Sequence, residues 1–256
     1  MKSFNITGHV LVLGGSSALG AAAAEMFAIR GARAITLSYS SNEMKANLLA
    51  TRLAREYEIR THSMKVQFPF SDLDIPFFEE QLTTAVEATG VEIEAMLVAN
   101  GKSPNQPFFE QMIGGEGGWL DLMQVNLISP TMAVRSVAER MVKQRVQGSI
   151  VVIASSNGVD SFAPFSAHYD GSKGGLAAAL RGPAKLYAAR GVRINVLNLG
   201  WADTGMNDSV PNLDEELKRV YLGRQATAEE VAHAICFLAE NTFAAKTELK
   251  LDGGYS

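Results

Sequence analysis

Seven short apolar runs alternate along the chain with longer amphipathic stretches. The runs are His9–Gly14, Arg33–Ser38, Arg60–Phe68, Ile93–Ala99, Ser149–Ser155, Val192–Leu199 and Glu248–Leu251. Between them the pattern predicts helices over Ala18–Arg30, Asn42–Tyr57, Ile75–Thr89, Trp119–Val146, His168–Arg190 and Ala228–Glu240. Regular strand–helix alternation implies right-handed crossovers and a parallel sheet covered on both faces. The expected architecture is therefore α/β: a doubly wound parallel sheet of about seven strands with helices on both faces. No linker, repeat or low-complexity tract interrupts it, so residues 1–256 are expected to form one domain. The loosest stretches, Lys102–Gly118 and Trp201–Tyr221, both follow strand C-termini. That edge is where open α/β sheets bind ligands.

Three features carry chemistry. First, the run from His9 leads straight into Gly14, Gly15, Ser16, Ser17, Ala18, Leu19 and Gly20, then a helix. Bare backbone amides and a helix N-terminus attract phosphate. Alone, such a turn is equally a simple chain reversal; after the first strand of an alternating α/β chain it points to a dinucleotide pyrophosphate. Second, Tyr169 and Lys173 lie one helical turn apart, with Ser155 upstream at the end of an apolar run. Residues i and i+4 share a helix face. A free phenol has a pKa of about 10 and is a poor acid–base group at neutral pH; a nearby ammonium favours the phenolate. The Ser155 hydroxyl can bond a carbonyl or alcohol oxygen, so the three together suit proton transfer at an oxygen while hydride moves at its carbon. The pair alone arises by chance in many helices. Third, Pro130 stands four residues after Asn126. Proline offers no N–H and its ring displaces the carbonyl of residue i−4. The freed Asn126 carbonyl can hold a water, or the proline is only a kink.

Composition narrows the partners. Nearly half the residues (47%) are hydrophobic, enough for a sizeable core, and the net charge is only −4. No basic patch is evident, which argues against nucleic acid. The stretch from Met1 to His9 is too polar for a signal-peptide core. No apolar run approaches the roughly 20 residues of a membrane span; Ala21 to Ala28 is broken by Glu25. The single Cys236 cannot form an internal disulfide, and a cytoplasmic location is the expectation.

These residues together resemble the short-chain dehydrogenase/reductase family, in its single-domain branch of 3-oxoacyl-carrier-protein reductase-like ketoreductases. The family's Thr-Gly-x-x-x-Gly-x-Gly motif reads Leu13 to Gly20 here, with Leu13 for the Thr and Ala18 for the middle Gly. Its Ser, Tyr and Lys fall on Ser155, Tyr169 and Lys173, and its helical Asn on Asn126. Leu222-Gly223-Arg224, Glu229 to Ala232 and the ending Leu251 to Gly254 match its C-terminal third. Asn-Asn-Ala-Gly after the fourth strand becomes Val98-Ala99-Asn100-Gly101, Pro-Gly after the sixth becomes Leu199-Gly200, and Pro69 stands where the family has Asp.

The resemblance implies a Rossmann-type fold and hydride exchange between a nicotinamide cofactor and a carbonyl or secondary alcohol. Tyr169 would be the acid/base, Lys173 would lower its pKa and bind ribose, Ser155 would orient the substrate oxygen, and Asn126 would hold a relay water. Cofactor contacts would fall on Gly14, Ser16, Ser17, Leu19, Gly20, Ser38, Asn100, Gly101, Tyr169, Lys173, Gly200 and Thr204. Dimers or tetramers through the two long helices are implied as well. NAD sites place a carboxylate about 20 residues past the glycines. Here the strand ends Leu37-Ser38-Tyr39-Ser40-Ser41-Asn42 with none, which favours NADP and leaves NAD possible. Two alternatives stay open: a cofactor-binding regulatory or scaffold protein that has lost its chemistry, and a nucleotide-sugar epimerase or dehydratase. Phe162, Phe165, Trp201 and Met206 are candidates for the substrate pocket or for ordinary packing under a loop. His168 and His233 have no metal-ligand spacing.

Overall fold

The computed structural model describes residues 5–71, 74–104, 106, 108–161, 165–205, 207, 210 and 212–255. Seven parallel strands form its sheet: β1 (His9–Leu13), β2 (Ala34–Tyr39), β3 (Arg60–Lys65), β4 (Ile93–Val98), β5 (Gly148–Ser155), β6 (Val192–Leu199) and β7 (Glu248–Leu251). Their order is β3-β2-β1-β4-β5-β6-β7. The chain winds outward from β1 to β3, then crosses back to β4 and continues to the other edge. The order therefore reverses between β1 and β4, the position where such sheets open a ligand crevice.

Central strands have no polar face because helices cover both sides; β1 and β5 are buried at every residue. Helices α1 (Ala18–Ile29), α2 (Glu43–Tyr57) and α8 (Ala228–Glu240) close one face. Alanines at 23, 24 and 28 let α1 approach closely, and Phe27, Leu37, Leu53 and Ile235 fill the space. Helices α3 (Asp74–Thr89), α5 (Ser129–Lys143) and α6 (Ala167–Ala188) close the other, around Phe78, Met96, Val137 and Leu176. Each large side chain so buried contributes about 1.5–3 kcal/mol. The expected doubly wound α/β sheet is observed.

One expected element is divided. The stretch predicted as a single helix over Trp119–Val146 is a short α4 (Trp119–Met123), a π-helical turn (Gln124–Ile128) and then α5. Pro130 cannot donate to the Asn126 carbonyl, and a π-turn is the wider winding that accommodates such a break. A short helix α7 (Leu213–Leu217) lies within the stretch expected to be loose. No described helix is long and apolar enough to cross a membrane.

Candidate active site

At the carboxyl edge of the sheet, the turn after β1 is closed by backbone rather than side chains. Gly14 adopts a φ of +79°, and a Cβ there would stand 3.0 Å from Asn100 N. A Cβ on Gly20 would overlap the Gly14 carbonyl, so neither position accepts a side chain. Ser17 caps α1: its hydroxyl accepts the Gly20 N–H at 3.0 Å and donates to Gly14 O at 2.7 Å. Ser38, at the end of β2, is buried and accepts the Gly14 N–H at 2.9 Å. Ser16 is half-buried in the same turn. The helix N-terminus is thereby held rigid at the crevice mouth.

Across the crevice, β5 delivers Ser155 and the first turns of α6 deliver Tyr169 and Lys173. Ser155 and Tyr169 line the same cavity, and the Ser155 hydroxyl accepts the Asn157 N–H at 3.2 Å. Lys173 is buried, and its Nζ donates to Ile153 O at 3.1 Å. Asn126, in the π-turn, is fully buried. Its Oδ1 accepts the Lys102 N–H at 2.8 Å, and its Nδ2 donates to Lys102 O at 2.9 Å and to Ser172 Oγ at 3.0 Å. Ser172 in turn donates to Tyr169 O at 2.7 Å. A Cβ on Gly101 would stand 3.1 Å from Lys173 Nζ and 3.3 Å from Asn126 Oδ1, which brings these groups to one point.

Burial governs the acid–base balance. It pushes the Tyr169 phenol up to about 12, against the Ser155 hydroxyl and with the Asp170 charge. The same burial pulls Lys173 down to about 8. The lowering of Tyr169 expected from Lys173 is not what the protein alone gives. The Lys173 ammonium donates to the Ile153 carbonyl, and desolvation is the largest influence on the phenol.

One cavity is lined by Leu19, Asn100, Gly101, Ser155, Tyr169, Lys173 and Gly200. Phe165 and Trp201 also face it, together with Ser103, Asn157, Asn207 and Val210. Gly14, Ser16, Ser17, Gly20 and Ser38 continue the crevice beyond Leu19, Asn126 stands behind Lys173, and half-buried Thr204 is outside the lining. Phe162 and Met206 lie outside the described residues. The sequence reading missed Ser172 and Asn157; only the spacing of Ser172 three residues after Tyr169 signals it. His168 packs against Trp119, with ring centroids 6.1 Å apart. No metal-binding cluster occurs among the described residues.

A dinucleotide fits these residues. Both polar atoms of the Asn100 side chain are shielded from solvent and have no hydrogen-bond partner among the described residues, and Asn100 is one of the residues lining the cavity. Buried amides are rarely left so, and a ligand with polar edges would satisfy this one. The glycine turn meanwhile offers an anion only amides and a helix N-terminus.

Comparison with known proteins agrees. The family model described as enoyl-(acyl carrier protein) reductase matches residues 14–256. The NADP-dependent mannitol dehydrogenase of Hypocrea jecorina is 27% identical, covering 99% of this chain and 94% of that protein. The 3-oxoacyl-[acyl-carrier-protein] reductase of Aquifex aeolicus is 30% identical, covering 89% and 88%. A crystal structure of a dehydrogenase/reductase from Sinorhizobium meliloti superposes with a TM-score of 0.85 at 25% identity, covering 99% of this chain and 97% of that one. The chain therefore belongs to the short-chain dehydrogenase/reductase family of NAD(P)-dependent oxidoreductases.

Proposed function

We propose that the protein reduces a small-molecule ketone, or oxidises the matching secondary alcohol, with NADP(H). The observation that carries this reading is that Ser155 and Tyr169 open onto one cavity, with Lys173 buried beside them. The nicotinamide supplies or accepts the hydride. Ser155 holds the substrate oxygen, and Tyr169 gives that oxygen its proton. Lys173 bonds the ribose and is the cation that favours the phenolate once the proton has left. Asn126, locked by three hydrogen bonds, keeps the π-turn carbonyl in place for a water that returns protons to Lys173. Gly14, Ser16, Ser17, Leu19, Gly20, Asn100, Gly101, Gly200 and Thr204 complete the cofactor contacts. One domain carries both cofactor and catalysis, in a cytoplasmic protein.

A phenol with a pKa near 12 stays protonated across the neutral range. The acid needed for reduction is thus always present, whereas alcohol oxidation needs the phenolate and should accelerate as pH rises. Incubating the protein with NADPH and a panel of β-keto esters, cyclic ketones, quinones and sugars tests the reading. Steady cofactor oxidation with at least one carbonyl is expected; cofactor binding without turnover on any would favour a regulatory protein.

Cofactor choice has its own test. A carboxylate beside Gly14 N would repel a 2′-phosphate and accept the NAD 2′-hydroxyl. Ser38→Asp should lower the NADPH/NADH ratio of kcat/KM by roughly tenfold or more, each tenfold being about 1.4 kcal/mol. A wild type that already prefers NADH overturns the NADP reading. The relatives named as NADP-dependent support it.

Self-association through α5 and α6 belongs to the same reading. Leu186 is 60% exposed on α6, where Ala178 and Ala179 also face solvent, and Ile128 and Leu120 are exposed nearby. Symmetric contact is the commonest way to cover such surface. Light scattering should give a dimer or tetramer at micromolar concentration; a monomer ends the idea.

A further inference from the structure

Trp201 follows Gly200 directly and forms one wall of the cavity. Behind it stands Tyr255, only 4% exposed, its ring meeting the indole edge-on at 6.3 Å between centroids. The Tyr255 hydroxyl donates to Glu216 Oε2 at 2.6 Å. Glu216 belongs to α7 and pairs with Arg219 at 3.2 Å. The Arg219 guanidinium returns over the Tyr255 ring, 4.6 Å from its centroid. Nearby, Leu222 N donates to Gly253 O at 3.2 Å. One residue therefore touches both Trp201, which lines the cavity, and α7.

We propose that Tyr255 is a positioning residue for substrate, fixing Trp201 against α7 and so setting the affinity for the carbonyl compound. The proposal rests on the reductase reading of the cavity. Trp201 lines the pocket, and its ring is held by the edge-to-face contact with the Tyr255 ring. The Tyr255 hydroxyl proton goes to a carboxylate, which makes that bond charge-assisted and directional. The cation over the ring resists withdrawal of the phenol. Tyr255 does not line the cavity and stands outside the Ser155–Tyr169–Lys173 group, so it bears on where substrate sits rather than on proton or hydride transfer.

Tyr255→Phe keeps the ring and removes the hydroxyl bond to Glu216. Substrate KM should rise about tenfold, the scale of losing a buried hydrogen bond to a charged group. The kcat and the NADPH affinity should stay within about twofold of wild type, the pattern of lost ground-state binding. Hydrogen–deuterium exchange should quicken in the peptide from Trp201 to Arg219 and not in the one covering β1 and α1. Glu216→Gln, which retains shape but weakens the bond to Tyr255, should give a smaller change in the same direction. Unchanged KM and exchange in Tyr255→Phe would overturn the proposal. So would a joint loss of kcat, NADPH affinity and Tm, which marks general packing. If the wild type reduces no carbonyl, the substrate role falls with the reductase reading, while exchange still decides whether Tyr255 holds the wall.

Discussion

Tyr169→Phe is expected to lower carbonyl turnover by about 10²–10⁴-fold, the usual worth of a positioned general acid. The substitution removes the phenol proton and leaves the ring in place. The fold should persist, because Phe fills the same space and the Ser155 hydroxyl retains the Asn157 N–H. NADPH affinity, read by calorimetry, should change little. Activity within a few-fold of wild type would remove Tyr169 from the mechanism and transfer the acid role elsewhere in the cavity.

Lys173→Met should have the second largest effect, and it should appear in two measurements. The ammonium is buried and bonded to Ile153 O at 3.1 Å, and losing a charged hydrogen bond costs about 1.5–3 kcal/mol. If that interaction serves ribose and phenol, kcat/KM falls by about 10–100-fold, since each 1.4 kcal/mol is tenfold. NADPH affinity falls with it. The pH profile supplies the sign. Lys173, drawn down to about 8, is charged below that pH, where its ammonium would favour a phenolate formed during turnover. With Met in place that support is absent at every pH, so the loss of alcohol oxidation relative to wild type should be largest below about pH 8 and shrink above it. Unchanged NADPH affinity would remove the ribose role; a loss that does not vary with pH would remove the electrostatic one.

The sheet was legible because its signal is local. Val192–Leu199 and Glu248–Leu251 are strands over the residues expected, and Ala228–Glu240 is the helix expected. Apolar runs there are bounded by turn residues or by a capping box at Thr227 and Glu230. The division of Trp119–Val146 was only half legible. Pro130 signalled a fault, but the π-turn is fixed by Asn126 gripping the Lys102 backbone, 24 positions away. No periodicity within the helix encodes that. The same holds for the site. Glycine spacing and the Tyr169–Lys173 interval lie in the sequence itself. The burial that raises Tyr169, the unmatched Asn100 amide and the reach of Tyr255 to Trp201 exist only once distant segments meet. Helix α7 is short and acidic, Leu213–Leu217, and such a segment has too few apolar positions to show a period.

Label transfer tests the central claim most directly. NADPH deuterated at the reactive nicotinamide carbon is incubated with the protein and the best carbonyl substrate, and the alcohol product is analysed by mass spectrometry and NMR. The account predicts deuterium on the carbinol carbon, none exchanged with water, and formation of this labelled alcohol slowed by about 10²–10⁴-fold in Tyr169→Phe. An alcohol whose new carbon-bound hydrogen comes from solvent, or full activity without Tyr169, would contradict it.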